Sequence, residues 1–174
     1  MTALADALHV VCPHCHTTNR VRVADMGHAP DCGQCHKALF DGHPLALDAA
    51  TFDKHIGRSQ VPVLVDFWAG WCKPCRMENP NVVAAFNKYS PKGFTVLGVS
   101  LDQPTGKERW MEAIHKDNLT WTQVSDLKYW KNEVAVMYGV NAIPQNYLID
   151  DQGIIIGKDL RGDALNAKLA ELFK

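Results

Sequence analysis

The chain reads VPVLVDFWAGWCKPC from Val61 to Cys75, and this stretch decides the fold. Its first nine residues are almost continuously apolar, which is typical of a short strand buried on both faces of a sheet. Cys72 and Cys75 follow at once, and the apolar residues beyond them recur at helical spacing. The pattern therefore predicts a buried strand that runs directly into a long helix, with both cysteines at the start of that helix.

The segments on either side of this stretch alternate between strand and helix patterns. Strands are predicted at 45–47, 61–69, 94–101, 120–124, 145–149 and 154–157. Helices are predicted at 49–57, 72–89, 108–115, 132–138 and 164–173. The alternation predicts an α/β fold with helices on both faces of one sheet, and the closing hairpin makes that sheet mixed rather than purely parallel.

The six cysteines fall into three Cys-x-x-Cys pairs, and two pairs lie in the first part of the chain. These pairs have the spacing of two knuckles around one metal ion, and the segment 10–40 has few large apolar residues with which to form a core. Four thiolates favour a structural Zn²⁺ ion. Two dithiol/disulfide pairs and an iron site of similar ligation are the alternatives. The four predicted metal ligands are Cys12, Cys15, Cys32 and Cys35.

The third pair has a different setting, because it begins a helix. The free N–H groups and the dipole of a helix N-terminus stabilise Cys72 as a thiolate, and Lys73 adds a positive charge nearby. Cys75, one turn further on, is placed to attack a mixed disulfide formed at Cys72. The alternative, half of a second metal site, lacks a fourth cysteine pair to complete it.

Residues Asp66 to Cys75 resemble the active site of the thioredoxin superfamily, and Ile143-Pro144 resembles its cis-proline loop. Residues of about 10 to 72 are similar to the zinc-containing thioredoxins of the thioredoxin 2 type. Residues of about 66 to 174 are similar to the TlpA/ResA-like branch, whose helix-strand insertion Gln103 to Asp126 would provide. A natural fusion or an engineered chimera would account for the combination. We expect a zinc ribbon over residues 1–42 and a thioredoxin-like domain over residues 43–174.

The resemblance implies roles for two acidic residues. Asp66 occupies the position of the buried thioredoxin aspartate, which implies a proton acceptor for Cys75; the alternative is a polar residue satisfied by its neighbours. Glu78 matches the acidic residue that TlpA/ResA-like proteins keep near the cysteines; the alternative is a solvated helix glutamate.

The resemblance also implies the surroundings of the cysteines. Trp71 is expected to shape the platform around the site, and Pro144 is expected to be cis, so that a substrate chain can lie against the loop backbone. Lys73 stands where thioredoxins most often have glycine, which affects the redox potential.

Charge and hydropathy exclude several classes of partner. A formal net charge of −1 gives no basic face for nucleic acid or an anionic membrane. The segment from Met1 to His9 has no basic part followed by a long apolar stretch, and no apolar run is long enough to span a bilayer. The sequence therefore predicts a cytoplasmic location and no membrane partner.

Together these features predict a protein disulfide reductase. Its substrates would be proteins that contain disulfides, and its electron donor would be thioredoxin reductase or a small thiol. Three alternatives remain: an oxidant or cytochrome-maturation-type thiol oxidoreductase, a thiol peroxidase, and a non-enzymatic zinc-ribbon binding module.

Overall fold

The computed structural model of the chain describes residues 7–28, 30–40, 44–45, 48–58 and 60–174. The strands are β1 Ala7–Val11, β2 Thr18–Arg22, β3 Pro44–Leu45, β4 Val63–Trp68, β5 Thr95–Ser100, β6 Thr122–Val124, β7 Gln145–Ile149 and β8 Ile155–Lys158. The α-helices are α1 Ala49–Gly57, α2 Lys73–Tyr89, α3 Lys107–Lys116, α4 Glu133–Met137 and α5 Gly162–Leu172. Of the predicted first strand, residues 46 and 47 lie outside the described residues, as does the predicted domain boundary at 42/43.

Within the described residues, six strands form the main sheet, in the order β3-β6-β5-β4-β7-β8. The four strands from β3 to β4 are parallel, whereas β7 and β8 run antiparallel to their neighbours. The predicted α/β fold with a mixed sheet is confirmed. The predicted insertion between Gln103 and Asp126 contains α3 and β6, which add one helix and one internal strand.

Strand β4 lies at the centre of the sheet, and its residues are buried on both faces. Val63, Val65 and Phe67 pack with residues of α1 and α4 on one face. Leu64 and Trp68 pack with residues of α2, α3 and α5 on the other face. Because side chains alternate along a strand, Asp66 faces the same side as Leu64 and Trp68, toward α2.

The N-terminal hairpin of β1 and β2 is antiparallel, with Ala7 opposite Arg22. Its apolar residues Val10 and Val21 belong to one core cluster with Met26, Leu39, Phe52, Val61 and Val63. Polar contacts also join the N-terminal segment to the residues that follow it. The Gln60 N–H donates to the His9 carbonyl at 3.0 Å, and His16 Nδ1 lies 3.3 Å from His55 Nε2 on α1. Apolar residues of the segment 10–40 are therefore buried together with residues of α1 and β4.

Candidate functional site

Cys72 and Cys75 form a disulfide at the start of α2. Cys72 is the N-cap residue of the helix, and its Sγ accepts a hydrogen bond from the Cys75 N–H at 3.2 Å. Pro74 lies in the first turn, where its missing N–H leaves no helical hydrogen bond unmade. Cys72 is 4% exposed and Cys75 is 1% exposed, so the pair is closely covered in this oxidised state. The strand-to-helix placement predicted for the pair is what the structure shows.

The cis-proline loop lies against this disulfide. The Ile143–Pro144 peptide bond is cis, as predicted, and the Ile143 carbonyl oxygen is 3.8 Å from Cys72 Sγ. An open groove beside the two residues is lined in part by Trp71 and Trp130. Trp71 is 49% exposed and its ring lies 5.6 Å from that of Tyr129, measured between centroids. A polypeptide could therefore reach Cys72 along a groove with aromatic walls.

Asp66 lies on the α2 face of the sheet and is 6% exposed. Burial raises the pKa of Asp66 to about 7; the negative charge of Glu78 acts in the same direction, and the positive charge of Arg161 opposes it. A carboxyl group with a pKa near neutrality can both accept and return a proton under working conditions. The position and the pKa of Asp66 suit the proton-accepting role that the sequence resemblance implies.

Glu78 is a hydrogen-bonded residue of α2. Its Oε1 accepts the Gly162 N–H at 2.9 Å, and its Oε2 accepts from Asn81 Nδ2 at 3.1 Å. These bonds orient the carboxylate toward the start of α5. Lys73, by contrast, is an exposed residue at the first position of α2.

Sequence reasoning missed Asp102, which fixes the backbone before the cysteines. Asp102 is 1% exposed, and its Oδ2 accepts the Gly70 N–H at 2.9 Å and the Ser100 hydroxyl at 2.7 Å. A Cβ atom at Gly70 would lie 3.1 Å from the Trp110 Cα, so the loop passes very close to α3. An acidic residue at the carboxyl end of a buried strand next to β4 was the available signal.

The four N-terminal cysteines form one compact cluster. Their sulfur atoms all lie within 4.8 Å of one another, and the Cys12–Cys35 and Cys15–Cys32 Sγ distances are both 3.7 Å. In a tetrahedral site with Zn–S bonds of about 2.3 Å, neighbouring sulfurs lie about 3.8 Å apart. The residues present therefore fit a metal ion of that size and geometry.

The two knuckles have the same backbone geometry. The Cys12 N–H donates to Thr17 O at 2.9 Å, and the Cys32 N–H donates to Lys37 O at 2.8 Å. His16 and His36, each following a second cysteine, have left-handed φ angles of 58° and 57°. This turn brings backbone N–H groups onto the first sulfur of each pair, from His14 to Cys12 Sγ at 3.3 Å and from Gln34 to Cys32 Sγ at 3.4 Å.

The cluster already favours partial ionisation of its thiols. Burial raises the pKa of Cys12 to about 12. For Cys32 burial acts in the same direction, but hydrogen bonds from the Cys35 and Gln34 N–H groups help to lower its pKa to about 6. A metal ion that bound here would displace the remaining protons.

No helix in the described part of the chain has the length and apolar character needed to cross a membrane.

The fold and the disulfide at the start of α2 define a thioredoxin-like protein. Residues 47–158 match the family described as AhpC/TSA family, and this match covers more than half of the chain. The chain belongs to the AhpC/TSA family.

Individual relatives agree with this assignment. Thioredoxin C-3 of Corynebacterium nephridii is 43% identical over 82 residues, which cover 46% of this chain and 57% of that protein. The thiol-disulfide oxidoreductase ResA of Bacillus thuringiensis is 27% identical over 117 residues, which cover 64% of this chain and 61% of that protein. The matches thus span about six tenths of those relatives' own length. Similarity to thioredoxins and to the ResA-like branch, both predicted from the sequence, is confirmed.

A solved structure extends the comparison. A thiol-disulfide oxidoreductase from Bacteroides fragilis superposes with a TM-score of 0.60 and 38% identity, covering 65% of this chain and 82% of that chain.

Proposed function

We propose that this protein is a thiol-disulfide oxidoreductase that reduces disulfides in other proteins. The observation that carries the proposal is the Cys72–Cys75 disulfide at a helix N-terminus, with the Ile143 carbonyl 3.8 Å from Cys72 Sγ. Backbone beside a reactive sulfur lets an extended substrate chain bind irrespective of its sequence. The relatives named thioredoxin and thiol-disulfide oxidoreductase support the same chemistry.

In the first step the Cys72 thiolate attacks one sulfur of a substrate disulfide. The Cys72–substrate bond forms, the substrate disulfide breaks, and the second substrate sulfur leaves as a thiolate. The Cys75 N–H, which donates to Cys72 Sγ in the oxidised protein, is placed to stabilise the attacking thiolate in the reduced protein.

In the second step Cys75 resolves the mixed disulfide. Its thiol proton passes to Asp66, and its sulfur attacks Cys72 Sγ while the substrate sulfur leaves with the electron pair of the broken bond. The products are a reduced substrate and the Cys72–Cys75 disulfide, the state seen in this structure. Thioredoxin reductase or a small thiol then returns two electrons to the pair.

We also propose that Cys12, Cys15, Cys32 and Cys35 bind one Zn²⁺ ion with a structural role. The spacing of their sulfurs fits tetrahedral coordination. Four protein ligands leave no open position for a substrate, so the ion would hold the segment 10–40 together and take no part in electron transfer. A cytoplasmic location is part of this proposal and suits the reducing direction.

A second candidate is disulfide exchange of the DsbE type. It is favoured by a relative named thiol:disulfide interchange protein DsbE homolog from Paracoccus denitrificans, 33% identical over 115 residues, which cover 64% of this chain and 59% of that protein. Such a protein would work in another compartment with another electron donor.

An insulin-reduction assay tests the proposal, run with dithiothreitol and, separately, with NADPH and thioredoxin reductase. We expect turnover in both, with loss in Cys72→Ser and no loss in Cys15→Ser. Turnover with dithiothreitol but not with thioredoxin reductase would exclude thioredoxin reductase as the donor and leave a small thiol or the DsbE-type candidate. Absence of turnover in both assays would refute the proposed chemistry.

A further inference from the structure

The loop between β8 and α5 is fixed to the sheet directly beside Asp66. Asn146 on β7 pairs with Asp66 on β4 across the antiparallel ladder and is 2% exposed. Its side chain accepts the Leu160 N–H at 2.9 Å and donates to the Leu160 carbonyl at 2.8 Å. Its carbonyl accepts the Asp159 N–H at 2.9 Å. These three bonds fix the backbone that leads into α5.

Two consecutive residues of this fixed backbone reach the redox site. Arg161, the N-cap residue of α5, donates from Nη2 to the Pro144 carbonyl at 2.5 Å. Gly162 donates its N–H to Glu78 Oε1 at 2.9 Å, and its φ of 50° is in the left-handed region that favours glycine. The start of α5 thus contacts the cis-proline loop and the acidic residue of α2 at the same time.

The charged groups around Asp66 come from two elements. Among the described residues, Glu78 on α2 and Arg161 at the start of α5 act on its carboxyl group through their charges, Glu78 raising and Arg161 lowering its pKa. The cross-strand neighbours of Asp66, Gly98 on β5 and Asn146 on β7, carry no charge. Lys158 on β8 lies over the Tyr147 ring, which packs on the other face of the sheet.

We propose that Arg161 is a positioning residue of the redox site, which holds the Pro144 carbonyl in place and provides the positive charge that opposes Glu78 around Asp66. The inference rests on the proposed function, because it concerns the step in which Asp66 takes the Cys75 proton. Arg161 would set the pH range in which Asp66 is ionised and able to accept that proton. Through its hydrogen bond to the Pro144 carbonyl, Arg161 would also affect how well the cis-proline loop binds a substrate.

The second step can be watched separately with the symmetric disulfide 5,5′-dithiobis(2-nitrobenzoic acid). Mixed with the reduced, zinc-loaded full chain, it releases one thionitrobenzoate when Cys72 attacks and a second when Cys75 resolves. We expect Arg161→Gln to move the acid limb of the second phase to higher pH by roughly half a unit or more, because loss of a positive charge favours protonated Asp66. Glu78→Gln should move it to lower pH, and the double variant should lie between the two.

Three further measurements complete the test. With insulin as substrate, Arg161→Gln should raise KM about two- to tenfold, as expected for loss of one hydrogen bond, with a smaller change in kcat. Arg161→Lys keeps the positive charge and should therefore show the wild-type pH profile, unlike Arg161→Gln. Lys168→Gln removes one positive charge from α5 at a half-buried residue that pairs with Glu171, and it should leave both the profile and KM unchanged.

The inference is overturned if Arg161→Gln keeps the wild-type pH profile and KM, or if Lys168→Gln shifts them equally. If Arg161→Gln does not fold, Arg161→Lys and Glu78→Gln carry the test, and an unmoved limb in Glu78→Gln also overturns it. A wild-type protein that releases both thionitrobenzoates but does not reduce insulin refutes the proposed function instead and leaves the role of Arg161 at the pair intact.

Discussion

The redox pair and the two knuckle pairs share one motif but differ in backbone setting. Cys72 caps a 17-residue helix that follows a buried strand, and its sulfur is bonded to that of Cys75. In the knuckles the chain turns back after the second cysteine, and the 3.7 Å sulfur contacts join one knuckle to the other. The same two-residue spacing therefore yields a disulfide at a helix start and a four-sulfur cluster between turns. Secondary structure, rather than the motif, determines the chemistry.

Single Cys→Ser substitutions should show the largest difference between the redox pair and the knuckles. Cys72→Ser should lower disulfide reduction by a factor on the order of 10³ or more, because the attacking sulfur is lost. Cys75→Ser should accumulate a mixed disulfide with the substrate, visible on a non-reducing gel. Cys15→Ser is the control with the same chemical change and should retain turnover. Trapping by Cys72→Ser rather than by Cys75→Ser would reverse the assigned roles.

Loss of the metal should affect the N-terminal segment rather than the redox pair. Cys12→Ser, or a chelator, should remove one zinc per chain and speed amide exchange across residues 10–40, because those residues bury few apolar groups. The main sheet and α2 should stay protected, and insulin reduction should change by less than about twofold. Amide hydrogen exchange followed by mass spectrometry measures the loss of protection. Metal analysis of protein kept reduced measures the zinc content. Unchanged metal content in Cys12→Ser would exclude the proposed ligand set.

Asp66→Asn tests the buried carboxyl group that the knuckles lack. The folded-state pKa of Asp66 is about 7 and the ordinary value is 3.8, so the unfolded chain gives up this proton at lower pH than the folded protein does. The free energy of unfolding therefore falls as pH rises from about 4 to about 7, and the loss is complete above that range. Asparagine should remove this dependence and stabilise the oxidised protein at pH 8 by about 1–3 kcal/mol.

Urea unfolding at pH 4 and pH 8 measures this effect, since the two proteins should differ little at the lower pH. Resolution by Cys75 should be slower in Asp66→Asn than in the wild type at pH 8, and the two should differ little at pH 4, where Asp66 is already protonated. An equal stability difference at pH 4 and pH 8 would contradict the assigned pKa.

Gly70→Ala should give the smallest effect, a loss of about 1 kcal/mol in stability, because the added Cβ lies 3.1 Å from the Trp110 Cα. Gly57→Ala is the matched control at the end of α1, where a Cβ meets nothing within 4 Å. We expect the control to be neutral or stabilising. Thermal unfolding compares the two, and equal losses would mean that the loop before Cys72 is not tightly packed.

Most of the fold and the cysteine chemistry could be predicted, because both depend on local patterns. The apolar run from Val61 and the helical spacing after Cys75 determine where the pair lies, and the spacing of the first four cysteines determines the cluster. Arg161 could not be found in this way, and local patterns mark Asp102 only as an acidic residue after a buried strand, without its partner. Their contacts with Pro144 and Gly70 depend on strand order and register, which bring together residues that are distant in the sequence.

The surface on which the N-terminal hairpin packs could not be predicted from the sequence for the same reason. Val10 and Leu39 look like isolated apolar residues of a small segment, and their partners Phe52 and Val61 lie outside that segment. No periodicity within the segment 10–40 indicates which surface it covers.

Timed alkylation tests the central claim most directly. The reduced, zinc-loaded protein is treated with iodoacetamide at neutral pH, and labelling of each of the six cysteines is followed by mass spectrometry. We predict that Cys72 is labelled first and Cys75 much more slowly, with the four knuckle cysteines protected until a chelator is added. Labelling of the knuckle cysteines at the rate of Cys72 in the metal-loaded protein, or of Cys75 before Cys72, would contradict it.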